Sequence, residues 1–355
     1  MRFKKYKRLR KANLDPTKYL RLSRAEFGHN FTSKSESKKN LDDYYYDDPD
    51  NLITYLSKFH RVKSENINVG LGADALIKDI FIWHSIKYSQ NKRVGFGLPN
   101  YFMYVLNSTI FGYKIFNYQI DPSNVKKLDV NFIKRFLKKN KISLLAISNP
   151  SHPFEKNWSL DEIKEITKFC KRYNIIFVID EVYQGLGSTS ACSLIKKFQN
   201  LIIIRSFSKA CGLPGIRVGY TVATKKLSEE IETFRLAIEL PKPSINKAIS
   251  YLKNNQILMK KNSNKIIKAR NYAHSQFKKR KLKSYNNFNN SITVDLISKK
   301  NAIKVDDYLK KKKILINYKF SKKYAKYINI TTTNINNIKF FFKKFDLIKK
   351  GLNFK

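Results

Sequence analysis

The sequence predicts an α/β protein, a large and mostly parallel sheet layered with helices, followed by a smaller α+β domain. Three observations predict it. Short apolar, β-branched runs alternate with helical stretches from Ile67 to Val222. Polar and ionisable side chains gather directly after those runs, where open α/β sheets hold their ligands. The alternation breaks down after Pro241 and Pro243. The division expected from this is an N-terminal arm over residues 1–50 that joins the small domain, a large domain over 51–243 and a small domain over 244–355.

The first stretch, Met1 to Lys11, is basic without an acidic residue, and reads as a solvated arm or, alternatively, as a nucleic-acid contact. An acidic and aromatic turn, Leu41 to Asp50, carries Tyr44, Tyr45 and Tyr46, and its Asp48-Pro49 pair starts a helix through Phe59. Ile67-Asn68-Val69 is a strand that passes through Gly70 and Gly72 into an amphipathic helix reaching Tyr88; free backbone N–H groups at such a start bind phosphate. A strand near Val94–Phe96, the turn Gly97 to Tyr101, a helix to Phe111 and a strand from Tyr113 to Tyr118 repeat the rhythm. A helix over Val130–Lys139 leads to a buried strand, Ser143–Ser148, ending in Asn149-Pro150-Ser151-His152-Pro153. Ser159 and Glu162 form a capping box for a helix to Tyr173. Strand Ile175–Ile179 ends in Asp180-Glu181-Val182-Tyr183, and strand Leu201–Ile204 runs into Arg205-Ser206-Phe207-Ser208-Lys209. Strand Val218–Val222 and a helix from Lys225 to Glu239 close the large domain. The small domain is expected to hold a helical stretch over Ile245–Arg280, a strand Ser291–Leu296, a helix Val305–Lys311, strands Ile314–Asn317 and Tyr327–Thr331, and a terminal helix.

The chain of 355 residues carries 71 Lys and Arg against 27 Asp and Glu, a net charge of +44. Such a balance points to nucleic acid or an anionic membrane. Yet lysine greatly outnumbers arginine, whose bidentate fork serves specific nucleic-acid recognition. Ile, Asn, Tyr and Phe, which share A/T-rich codons with lysine, are abundant as well. Codon bias therefore competes as the origin of the charge, and no specific nucleic-acid partner is expected. No apolar run approaches the roughly 20 residues that span a bilayer, and the three cysteines, Cys170, Cys192 and Cys211, show neither CxxC nor a histidine at metal-ligand spacing. A soluble, cytoplasmic protein without a structural metal is expected.

Chemistry converges on the loop from Arg205 to Tyr220. Lys209 offers an amine just past a buried strand, Ser206 and Ser208 offer hydroxyls, and Arg217 offers a planar set of donors suited to phosphate. Gly212, Pro214, Gly215 and Gly219 allow the backbone to turn and to approach closely. An amine beside phosphate donors is the equipment of a pyridoxal phosphate (PLP) site; the plainer reading is a polar loop with a surface lysine. Asn149, His152, Asp180 and Tyr183 fall at the ends of neighbouring strands, which favours the former.

These residues together make the chain resemble the fold-type I PLP-dependent aminotransferases, most closely the histidinol-phosphate aminotransferase branch with its decarboxylase relatives. The pattern Ser-x-Ser-Lys with arginine eight residues on, and Asp-x-x-Tyr upstream, carries the resemblance, which extends from Tyr19-Leu20-Arg21-Leu22 to the last helix. It implies that Lys209 is the Schiff-base lysine and proton shuttle, that Asp180 pairs with the pyridine nitrogen, and that Tyr183 donates to the ring's phenolic oxygen. It implies further that Ser206, Ser208, Arg217 and the backbone at Ala73 and Asp74 hold the cofactor phosphate, that Tyr101 stacks on the ring, and that Tyr46 reaches the phosphate of a partner subunit in a homodimer.

Three departures stand out against the family pattern. His152 takes the place of an asparagine that contacts the ring oxygen. Asn329 and Asn317 take the places of arginines that grip a substrate carboxylate and a substrate phosphate, with Lys319 and Lys326 nearby as substitute cations. The expected activity is transamination of a small amine or oxo compound, phosphorylated or not. The alternatives are decarboxylation of an amino acid and, from a different class, a basic nucleic-acid-binding protein.

Overall fold

The computed structural model describes residues 20–21, 48–154, 156–236, 239–254, 256–286, 288–318 and 321–349. The Met1–Lys11 arm, Tyr46 and Lys319 lie outside them. In chain order the elements are β1 (Leu20–Arg21), α1 (Asp48–His60), β2 (Ile67–Leu71), α2 (Gly72–Lys87), β3 (Arg93–Leu98), α3 (Phe102–Ile110), β4 (Lys114–Gln119), α4 (Val130–Asn140), β5 (Leu144–Ser148), α5 (Leu160–Arg172), β6 (Ile176–Asp180), β7 (Leu201–Ser206), β8 (Val218–Val222) and α6 (Lys225–Glu232). There follow α7 (Lys242–Asn254), α8 (Gln256–Lys279), β9 (Ser284–Asn286), β10 (Ser291–Asp295), α9 (Lys299–Lys311), β11 (Ile314–Leu315), β12 (Tyr327–Thr331) and α10 (Ile335–Lys349).

A seven-stranded sheet in the order β2-β8-β7-β6-β5-β3-β4 forms the centre of the large domain. β8 is antiparallel to both neighbours, and the remaining pairings are parallel. The central strands read as unbroken apolar runs because both faces are covered. Leu145, Ile147, Phe177, Ile179, Leu201 and Ile203 face one core, shared with α4, α5 and α7. Leu144, Ala146, Ile176, Val178, Ile202 and Ile204 face the other, under α2, α3 and α6. Parallel strands put their C-terminal ends at one edge, so Ser148, Asp180 and Ser206 come side by side there.

The small domain packs α8, α9 and α10 on the antiparallel sheet β12-β10-β9, with its own core of Phe277, Ile292, Ile328, Ile330, Phe341 and Phe345 among others. The two-residue strands β1 and β11 pair in parallel, which sets Leu20 and Arg21 beside Ile314 and Leu315 of the small domain. Several expectations shift: α9 begins at Lys299 where Val305 was expected, and the strand expected over Ile314–Asn317 covers Ile314–Leu315. The helix after β8 ends at Glu232, seven residues before the expected Glu239, because the chain turns so that Arg235 pairs with Glu239 and Glu239 Oε1 accepts from Leu71 N at 2.9 Å. Beyond the boundary drawn at residue 243, α7 packs Ile245, Ala248 and Tyr251 into the large core.

Candidate active site

Where the central strands end, a cavity of about 370 Å³ opens, lined by Ala73, Asp74, Tyr101, His152, Asp180, Tyr183, Ser206, Ser208, Lys209 and Arg217 together with Pro99, Asn100, Phe102, Ser148, Pro153, Val182 and Pro214. Side chains from six separate stretches of chain meet there, each at the end of a strand or the start of a helix.

One end of the cavity is built to hold an anion. No side chain caps the first turn of α2, so its backbone donors stay available beside Ala73 and Asp74. Ser206, Ser208 and Arg217 line the same cavity, and Arg217 Nη2 lies 3.1 Å from Asp74 Oδ2. Arg217 sits in the left-handed region at φ 54°. The cup depends on two missing side chains: a Cβ at Gly72 would come within 2.8 Å of the Arg217 guanidinium, and one at Gly219 within 2.6 Å of the Gly72 carbonyl carbon. β8 and the start of α2 therefore approach as only glycine permits.

At the other end stands Asp180, 4 % exposed. Its Oδ1 accepts from Val182 N at 3.1 Å and its Oδ2 from the Tyr104 hydroxyl at 2.9 Å. Burial pushes its carboxyl up to about 6, against the pull of those two donors. A cationic ring nitrogen placed beside it would reverse that shift, since an opposite charge favours the carboxylate. Lys209 Nζ lies 5.8 Å from the centre of the Tyr183 ring. Tyr183 in turn stacks on His152, with centroids 5.5 Å apart and planes 18° from parallel. Burial, reinforced by the Lys209 charge, lowers His152 to about 4, so the imidazole is neutral at pH 7. Tyr101, 40 % exposed, lines the rim and donates its hydroxyl to Asp74 Oδ1 at 2.8 Å.

Beneath these groups, Arg205 donates to Glu181 Oε2 at 2.8 Å and to Gln184 Oε1 at 2.6 Å, and Glu181 Oε1 accepts from Ala191 N at 2.6 Å. This buried ion pair ties the end of β6 to β7 directly under Asp180 and Lys209. Removing one partner of such a pair costs about 3–5 kcal/mol.

Of the substrate-binding set expected from the small domain, Asn317, Asn329 and Lys326 do not line the cavity, and Lys319 lies outside the described residues. Among the described residues, every lining side chain belongs to the large domain. Asn329 is fully buried behind His152. Asn317 pairs with it through the backbone, and Lys326 Nζ is 2.6 Å from Asp295 Oδ2. Sequence reasoning also passed over Tyr104, Glu181 and Arg205. Tyr104 lies in the first turn of α3, which starts beside the strand ends that carry the site; Arg205 is a charge at the end of an apolar run, a sign of a buried partner.

The groups present fit PLP: an anion cup, a buried carboxylate for the ring nitrogen, the Tyr183 hydroxyl between them, and a lysine. The description "Aminotransferase class I and II" matches residues 24–335 of the chain. A histidinol-phosphate aminotransferase of Ruminiclostridium cellulolyticum is 30 % identical over 215 residues, 58 % of this chain and 59 % of that protein. The chain thus spans less than two thirds of that relative's length. The solved histidinol-phosphate aminotransferase of Sinorhizobium meliloti, in complex with pyridoxal-5'-phosphate, shares the fold with a TM-score of 0.79 at 20 % identity, covering 94 % of this chain and 91 % of that one. The L-threonine-O-3-phosphate decarboxylase of Porphyromonas gingivalis does so with a TM-score of 0.72 at 19 % identity, covering 86 % and 91 %. With the family pattern matched over most of its length and the cavity so equipped, this chain belongs to the class I and II aminotransferases, with PLP as cofactor.

Proposed function

We propose that the protein is an aminotransferase acting on a small amine and an oxo acceptor, phosphorylated or not. The observation that carries this reading is the meeting of Lys209, buried Asp180 and the anion cup within one cavity. PLP bound there supplies an electron sink that weakens a C–H bond of the amine. The residues do the rest. Arg217, Ser206, Ser208 and the start of α2 would hold the phosphate; Asp180 would keep a proton on the ring nitrogen; Tyr183 would offer its hydroxyl to the phenolic oxygen; Tyr101 would wall one side. Lys209 would hold and move a proton at its Nζ beside the reacting carbon.

Decarboxylation is the second reading. It is favoured by the lack, among the described residues, of a small-domain cation lining the cavity to hold an α-carboxylate. Incubating the PLP-loaded protein with a panel of amines and amino acids separates the two. An oxo product with the cofactor left in its amine form supports transamination. Carbon dioxide with an amine product supports decarboxylation, and neither product with any compound contradicts both.

A homodimer with the cavity near its interface is part of this proposal. Tyr101, Phe102, Val105 and Ile110 are exposed large apolar side chains at the rim and along α3, which supports it. Tyr46 would complete the anion cup of the partner. Three free thiols, of which Cys170 and Cys192 are buried, support a reducing cytoplasm.

A further inference from the structure

A chain of hydrogen bonds from the small domain encloses the loop around His152, and each of its protons has one possible place. Both ends are backbone carbonyls, which only accept. Asn289 Nδ2 donates to Ser151 O at 3.3 Å, and Asn289 Oδ1 accepts from Ser291 N and Oγ at 2.8 and 2.7 Å. On the far side of His152, Thr293 Oγ1 donates to Pro153 O at 2.7 Å. The two hydroxyls have thereby spent their single protons, so toward Asn329 they accept. Asn329 Nδ2 lies 3.0 Å from Ser291 Oγ and 2.9 Å from Thr293 Oγ1. The amide cannot be turned round without setting lone pairs against lone pairs. Its Oδ1 is left buried without a hydrogen-bond partner, and so is Nε2 of His152. Asn289, Ser291, Thr293 and Asn329 are all 0 % exposed.

We propose that Asn329 is a positioning residue that holds His152 in the tautomer with its proton on Nε2, so that the imidazole offers the cavity a lone pair on Nδ1. The group it receives there is a hydrogen-bond donor of the substrate, a hydroxyl or an amine, and not a carboxylate. Asn329 Oδ1 only accepts, and Nε2 of His152 is buried without another partner, so the two are matched only when the ring proton is on Nε2; the Asn329 side chain is within range to favour the protonated ring, against the stronger effect of burial. A neutral imidazole carries one proton, so Nδ1 has none. Nε2 is closed to solvent, which leaves Nδ1 as the ring nitrogen available to the cavity that His152 lines. A carboxylate would meet that lone pair with lone pairs of its own.

The tautomer stands independently of the functional reading; the choice of ligand rests on it. The test is nitrogen NMR of the full chain labelled at histidine, recorded at pH 7 without cofactor. The chain has five histidines, and a His152→Gln variant assigns the signal. The expected spectrum shows a protonated Nε2 and an unprotonated Nδ1; a protonated Nδ1 overturns the proposal, whatever any variant does. Asn329→Leu, which removes the acceptor, should mix the tautomers. An unchanged tautomer in a folded Asn329→Leu also overturns it. For the ligand, ethanolamine should perturb the absorbance of the PLP-loaded protein at about tenfold lower concentration than glycine, the effect of one charge-assisted contact left unmade. The reverse order overturns the choice of ligand. Failure to bind PLP at all counts against the functional reading alone.

Discussion

Tyr104 and Asp180, 76 residues apart in the chain, meet in a hydrogen bond of 2.9 Å that is closed to solvent on both sides. The carboxylate that lines the cavity is thus oriented from behind by a helix that begins at the cavity's rim. A tyrosine there holds Oδ2 while the Val182 amide holds Oδ1.

The ionisation of Asp180 should be visible in stability. Its folded value of about 6 lies above the ordinary 3.8, chiefly through burial. The folded chain therefore binds this proton more tightly than the unfolded chain, and the stability Asp180 contributes falls as pH rises from about 4 to 6 and then levels. An Asp180→Asn chain lacks this loss, which amounts to about 3 kcal/mol. Without cofactor, the two chains should melt together near pH 4 and the variant should melt higher at pH 7; an equal difference at both pH values contradicts the assignment. With cofactor, Asp180→Asn should bind PLP and lose most of its activity.

Tyr104→Phe removes a donor that holds the Asp180 carboxyl down. The carboxyl should then titrate above its present value, as read by carbon NMR of the side chain. Losing a hydrogen bond to a charged group costs about 1.5–3 kcal/mol. A carboxyl that titrates as before would show that Tyr104 only fills space.

Gly219→Ala should disrupt the anion cup. The added methyl would fall 2.6 Å from the Gly72 carbonyl carbon and 2.8 Å from Ala73 N, both backbone atoms. A loss of about 1–3 kcal/mol in stability and weaker retention of PLP are expected in thermal melts and dialysis. Gly215→Ala is the control, since nothing lies within 4 Å of its added methyl; equal effects of the two would remove the close-approach argument.

The homodimer proposal can be tested by complementation. Mixing Lys209→Ala and Tyr46→Phe chains should restore activity above either alone, because hybrid dimers carry one intact site. Sedimentation of a fully active monomer would contradict shared sites.

The sheet was legible because its strands are buried on both faces, and Ile202–Ile204 or Leu144–Ile147 can be little else. Lys209, Asp180, Tyr183, Ser206 and Ser208 were legible because residues after parallel strands reach one edge of the sheet, and Arg217 because it precedes β8, which runs antiparallel and so starts at that edge. What failed was depth. The position of Asn329 within β12 is evident from its alternating neighbours, but a strand pattern does not say what stands in front of it; here His152 does, and the cavity wall comes from the large domain. The hydrogen-bond chain through Asn289, Ser291 and Thr293 joins residues 138 and 140 positions apart, a separation without a local signal. The early end of α6 was likewise fixed by a tertiary contact, the reach of Glu239 back to Leu71.

The central claim is that Lys209 carries the chemistry. Reduction of the PLP-loaded protein with borohydride, digestion and mass spectrometry of the peptides reads this directly. The account predicts one modified lysine, Lys209, and a Lys209→Ala chain that folds, takes up no label there and turns over no substrate. Label on another lysine, on none, or a Lys209→Ala chain with undiminished turnover would contradict it.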